Sequence, residues 1–153
     1  MKKHRENGAV VYVETCPQYF TLTEDEVLKQ GALARVNPPL RTAADVEGII
    51  QGLQDGTIDA IATDHAPHSA EEKSRGLSGS AFGIVGLETA FPVLYTYMVQ
   101  AGVLTLEKLV ETMCVNPRKR FGIPQGKDFS VWDLGEAYTV DPETFKTMGR
   151  ATP

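Results

Sequence analysis

In the run Ile58-Asp59-Ala60-Ile61-Ala62-Thr63-Asp64-His65-Ala66-Pro67-His68, apolar side chains at Ile58, Ala60, Ile61 and Ala62 fall on both faces of a short strand. That pattern belongs to a parallel strand covered by helices on each side. Just upstream, Thr42 is placed to cap a helix in which Val46, Ile49, Ile50 and Leu53 recur at i, i+3, i+4, i+7 and which Gly56 ends. Further back, the spacing predicts a strand over 33–36 running into Asn37-Pro38-Pro39, where two prolines end pairing. Before it stands a short helix opened by a Thr23/Glu26 capping box and closed at Gly31. A buried strand over 10–13 precedes that helix, and residues 1–8 read as the last turn of a helix with Gly8 as its stop. Three strand-then-helix units in succession predict an α/β arrangement, open or closed into a barrel.

Downstream, residues 65–82 form an unusually long polar loop before a helix over 86–101 that turns Leu87, Ala90, Phe91, Leu94 and Met98 inward. Thr105 caps a further helix bearing Leu106, Leu109, Val110 and Met113, and Asn116-Pro117 has the chemistry of another helix start. After Gly122-Ile123-Pro124 the pattern changes. Short strands are predicted over 129–132 and 136–140, with Asp141-Pro142 opening a final turn, a tail too small to stand alone.

Composition narrows the partners. Of the 153 residues 42% are apolar and 23% charged, as in globular proteins with a real core, and no stretch approaches the roughly 20 apolar residues of a membrane span. The net charge is −5, with one dense basic group at Arg118-Lys119-Arg120, which argues against nucleic acid. Cys16 and Cys114 stand in no metal or redox spacing and read as buried free thiols of a reducing compartment. No apolar signal-type stretch follows the basic start, so a cytoplasmic location is expected.

The chemistry concentrates where Asp64, His65 and His68 leave the carboxyl end of the third strand, the edge at which α/β proteins place their sites. An Asp there can ligate a metal ion or take a proton from an activated water. Pro67 keeps the two histidines off a common helical face, yet both can point into a loop-lined pocket. Asn37 sits in a rigid loop at a neighbouring strand end, and Gly83 after Phe82 lets main chain approach a ligand closely. Each residue also has a plain reading as a turn former or loop residue, and spacing alone leaves both open.

Glu14-Thr15-Cys16-Pro17, Val36-Asn37-Pro38-Pro39-Leu40-Arg41, Thr63-Asp64-His65-Ala66-Pro67-His68, Phe82-Gly83-Ile84-Val85-Gly86-Leu87-Glu88-Thr89-Ala90 and Asn116-Pro117 together resemble the type I dihydroorotases of the amidohydrolase superfamily. The resemblance implies the carboxy-terminal part of a (β/α)8 barrel over 1–122 and strands of a small β-sandwich over 123–153. It implies a zinc pair in the intact enzyme and interconversion of dihydroorotate and N-carbamoyl-L-aspartate. Asp64 corresponds to a metal-bound carboxylate that moves the proton, Asn37 and His68 to substrate holders, and the Phe82 and Gly83 backbone to a ring-binding edge. The family's His-x-His pair, its bridging residue and its other metal-binding histidines have no counterpart here, so this chain alone is expected to be inactive and not to retain zinc. Gln18 stands where many relatives carry His, and Ala81 replaces a usual Pro. Hydantoinases, dihydropyrimidinases and allantoinases share the outline. A non-catalytic subunit supporting aspartate transcarbamoylase is a further expectation, and open sheet edges would favour self-association.

Overall fold

The computed structural model describes residues 1–153. A short helix, α1 (Lys2–Glu6), ends just before Gly8, whose φ of 83° only glycine adopts freely, as its place after a polar turn predicts. Strand β1 (Glu14–Thr15) then pairs in parallel with β2 (Ala60–Ile61), with Glu14 opposite Ala60 and Thr15 opposite Ile61. Flanking amides lengthen the ladder: Asp59 N donates to Val13 O at 2.8 Å and Ala62 N to Thr15 O at 2.9 Å. A lone parallel bridge, His65 with Ile84, carries the sheet direction beyond β2. The architecture is α/β, with little strand and much helix.

Between the two strands run α2 (Gln18–Thr21), α3 (Asp25–Gln30), a 3-10 turn (Gly31–Ala34) and α4 (Ala43–Gln54). The best-defined start is that of α4, where Thr42 Oγ1 accepts from Asp45 N at 3.3 Å and the Asp45 carboxylate accepts from Thr42 N at 3.1 Å. The long loop holds two four-residue helices, α5 (Ala70–Lys73) and α6 (Gly76–Gly79). Helix α7 (Ala90–Leu94) widens into π winding over Tyr95–Gln100. Helix α8 (Leu106–Val110) likewise passes through π winding at Glu111–Val115 into α9 (Asn116–Phe121). A 3-10 turn at Pro142–Thr144 closes the order. No helix is long and apolar enough to cross a membrane.

The core gathers Phe20, Leu53, Ile58, Ile61, Leu94, Met98, Leu104 and Leu109, so α4, α7 and α8 lie against the strand pair. A smaller cluster of Ala34, Val36 and Leu40 packs beneath the Asn37 loop with Tyr19, Val27 and Ile84. Ala90, Leu94 and Met98 are buried at intervals of four, which is the stripe the sequence shows.

Several expectations are corrected. Residues 10–13 are not a buried strand: Val10 is 85% exposed, because the outer edge of β1 has no neighbour within the chain. The strand expected over 33–36 is a 3-10 turn ending at Ala34, since Gly31 (φ 57°) redirects the chain and the nearest ladder is already β1 with β2. Thr23 does not cap α3, whose first turn begins beyond Glu24 with no side-chain bond. Residues 86–89 stay outside α7 and leave Leu87 exposed, held instead by a histidine described below. Asn116-Pro117 does start α9, with the proline in its first turn as expected, but the helix runs on from the π winding of the preceding turn without a break. Residues 129–132 and 136–140 are extended but unpaired, with Phe129 86% exposed, because no strand of this chain lies beside them. Cys16 is half-buried as a free thiol, whereas Cys114 is exposed.

Candidate active site

Asp64 follows β2 by three residues and is the chain's one non-glycine residue with positive φ, at 48°. A carboxylate in that left-handed conformation interrupts the strand between Ala62, still bonded to Thr15, and His65, which rejoins a parallel partner at Ile84. The interruption turns the Asp64 side chain out to solvent at the carboxyl end of the sheet. Its charge is felt by two neighbours. Burial pushes the Cys16 thiol up to about 11, with the Asp64 and Glu14 carboxylates adding to it. Burial also raises the Tyr19 phenol, helped by Cys16 and Asp64. Tyr19 Oη donates to Pro38 O at 3.0 Å and so ties this side of the rim to the exposed Asn37 loop.

The histidines have separate tasks. His65 Nδ1 accepts from the amides of Gly86 and Leu87, each at 3.2 Å, which places its proton on Nε2 and fixes the turn before α7. His68 Nε2 lies 2.9 Å from Phe82 O, a pairing in which the ring must donate, and its Nδ1 lies 3.5 Å from the Glu72 carboxylate. Ser69 and, behind it, His68 hold the Glu72 carboxyl below its usual range. His68, Phe82 and Gly83 are therefore brought together at one corner. Gly83 is there by necessity: its φ is 143°, and a β-carbon would stand 2.7 Å from Ala66 O and closer still to the Ala66 side chain. Gly83 N donates to Arg35 O at 3.0 Å, and the Arg35 guanidinium lies 3.8 Å above the Phe82 ring, which joins this corner to the segment two residues before Asn37.

Sequence reasoning missed three supports of this corner. Lys73, 4% exposed, points its ammonium at main-chain carbonyls on either side of Phe82. Gly149 presses on Pro67 and His68, where a β-carbon would meet their carbonyl carbons at 2.6 and 2.7 Å. Glu88 accepts from Lys146 N at 2.9 Å and Ala151 N donates to His68 O at 3.2 Å, so residues 146–151 lie along the site loop. Only the Ser69/Glu72 capping box that begins α5 had a readable signal. A cavity of about 450 Å³ beside Gln18, Val85, Ala90 and Phe145 is lined by none of Asp64, Asn37, His68, Phe82 or Gly83. Asp64, Asn37 and Phe82 are exposed to solvent, whereas Gly83 is buried.

As a zinc site the residues present do not suffice. No three His, Cys, Asp or Glu side chains converge, and the ring nitrogens of His65 Nδ1 and His68 Nε2 are committed to main chain.

No family model matches the sequence. Among solved structures, an L-hydantoinase (dihydropyrimidinase) from Arthrobacter aurescens superposes with a TM-score of 0.75 and 37% identity, over 79% of this chain and 28% of that one. A dihydroorotase from Saccharomyces cerevisiae, solved with 5-fluoroorotic acid, superposes at a TM-score of 0.67 over 79% of this chain and 34% of that one; at 16% identity it speaks to the fold alone. These structural neighbours are a hydantoinase and a dihydroorotase of the amidohydrolase superfamily. Within it, the dihydroorotase of Acetivibrio thermocellus is 48% identical across the whole of this chain. The whole chain is thus similar to part of the curated dihydroorotases, and it spans a little over a third of the length of such relatives, 38% in that case.

Proposed function

We propose that these residues form part of the catalytic rim of a dihydroorotase, which opens dihydroorotate to N-carbamoyl-L-aspartate and closes it again. The observation that carries the reading is the Asp64 carboxylate turned outward at the end of a parallel strand by a left-handed residue. A carboxylate so exposed can take a proton from the attacking water and return it to the ring nitrogen as the amide C–N bond breaks. Asn37 and His68 hold the substrate, and the Phe82-Gly83 backbone meets its ring. Zinc belongs to the intact family site. Asp64 supplies one donor to it, and the others come from outside these 153 residues. Residues 1–122 then form the last units of a (β/α)8 barrel, and 123–153 the edge of a small β-sandwich. The setting is cytoplasmic, with small molecules as ligands.

The test compares the 153-residue chain with a full-length polypeptide carrying it. The full-length protein should turn over dihydroorotate and lose that activity on Asp64→Asn, whereas the chain alone should neither retain stoichiometric zinc nor turn over. Zinc and turnover in the isolated chain would overturn the incomplete-site reading. The 37% identity to an L-hydantoinase favours a second reading, a hydantoinase-type hydrolase. Turnover of hydantoin or dihydrouracil by the full-length protein in preference to dihydroorotate would decide for it.

A further inference from the structure

Lys73 is a charged residue in an unusual setting. It ends α5, is 4% exposed, and no carboxylate lies within ion-pair reach of it. Its Nζ instead donates to three main-chain carbonyls: Arg35 O at 3.1 Å, Ala81 O at 3.1 Å and Gly83 O at 2.8 Å. An ammonium has three N–H donors, so all are used. A buried charge satisfied by carbonyl dipoles alone is expensive to keep, and burial together with the nearby Arg35 holds it below the usual lysine range. A methionine or leucine would fill the same space without that cost.

What the charge achieves is visible in the bend it grips. Three successive carbonyls are fixed from outside: Ala81 O by Lys73, Phe82 O by His68 and Gly83 O by Lys73 again. Two of the three amides are also committed, Ala81 N to Glu72 O at 3.1 Å and Gly83 N to Arg35 O at 3.0 Å. The Phe82 amide alone has no acceptor within the chain, and Phe82 is the exposed residue of the bend. The same ammonium binds Arg35 O and so fixes the bend relative to the segment that delivers Asn37.

We infer that Lys73 is a positioning residue: its ammonium clamps the carbonyls of residues 81 and 83 so that the Phe82 amide is presented, rigid and unpaired, to a carbonyl of the cyclic amide. The inference rests on the dihydroorotase reading for the identity of that ligand. It also narrows the binding edge to the Phe82 N–H, because the Gly83 N–H is already used.

The test uses Lys73→Met and Lys73→Arg in the full-length polypeptide, with steady-state kinetics and amide hydrogen exchange measured together. In Lys73→Met the KM for dihydroorotate should rise by roughly tenfold or more while kcat changes far less, since the edge is misplaced but Asp64 is not. The amides of Ala81 and Gly83 should lose protection while those of Ile49 and Ile50 in α4 keep it. Lys73→Arg retains charge and donors and should restore most of both. Unchanged protection at 81 and 83, or lost protection with an unchanged KM, overturns the proposal. So does a loss of protection throughout the protein that arginine fails to repair. Wild-type protein without dihydroorotate turnover sinks the functional reading, and the exchange measurement then still decides the clamp.

Discussion

Gly83→Ala isolates the packing of the site corner from backbone strain, provided that it is read beside Gly102→Ala. Both glycines have positive φ, 143° and 72°, but nothing lies within 4 Å of a β-carbon at Gly102 whereas the Ala66 carbonyl and side chain block one at Gly83. An alanine forced left-handed costs about 1–2 kcal/mol, and loss of unfolded-chain entropy returns about 0.4–1 kcal/mol, so Gly102→Ala should destabilise by roughly 0.5–1 kcal/mol. At Gly83 the backbone lies in a region nearly closed to other residues, worth about 1–3 kcal/mol, and relief of the clash adds about 1–3 kcal/mol. A net loss of about 3 kcal/mol follows, which in a domain of this size is a fall of about 6–12 °C in Tm. Urea unfolding followed by circular dichroism at 222 nm, with Tm from thermal scans, measures both variants. If Gly83→Ala falls within about 0.5 kcal/mol of Gly102→Ala, the bend is free to move and the description of the corner as rigid fails.

Three further outcomes are expected. With its pKa pushed up to about 11 by burial and nearby carboxylates, Cys16 should resist iodoacetamide at pH 8 while exposed Cys114 reacts, so mass spectrometry should find one rapid adduct in the native chain and two after unfolding; equal rates would refute the half-buried setting. Hydrogen bonds from Lys2 at 2.5 Å and from Thr57 hold the Asp55 carboxyl at about 2, below its ordinary 3.8. Its stabilising effect is therefore present above pH 3.8 and lost as pH falls toward 2, and Asp55→Asn should flatten the stability profile in that window alone. Fully buried Leu53 joins α4 to the strand pair, so Leu53→Ala should cost about 2–5 kcal/mol in urea unfolding, far more than exposed Leu28→Ala.

How much of this was legible follows from what each feature depends on. Helix α4 was readable because its cap, its stripe and its stop are all local, and Thr42, Leu53 and Gly56 each do what their residue types favour. The strand at 58–62 was readable too, since its apolar run has no other use, although its ladder reaches only Ala60–Ile61 by strict pairing. Pairing itself is not local. Residues 10–13, 129–132 and 136–140 carry strand-forming side chains, but a strand exists only beside another, and β1 and β2 offer each other their sole ladder. The residues at 33–36 failed for a different reason: Gly31 turns the chain so that Ala34 and Val36 pack inward as a small cluster without joining the sheet.

The site divides along the same line. Asp64, Asn37, His68, Phe82 and Gly83 were expected as a set from the strings of residue types around them, and of these the fold brings His68, Phe82 and Gly83 into direct contact. What holds them could not be read. Lys73 and Gly149 act on main-chain atoms, and a carbonyl or a peptide carbon is the same in every residue, so no pattern of side chains announces that a lysine will end on Gly83 O or a glycine on the Pro67-His68 peptide. A buried lysine without a carboxylate is in this sense more informative than the acidic and imidazole groups around it. Those groups have many uses on a rim, whereas a desolvated ammonium with all three donors on main chain has one, which is to hold that main chain still.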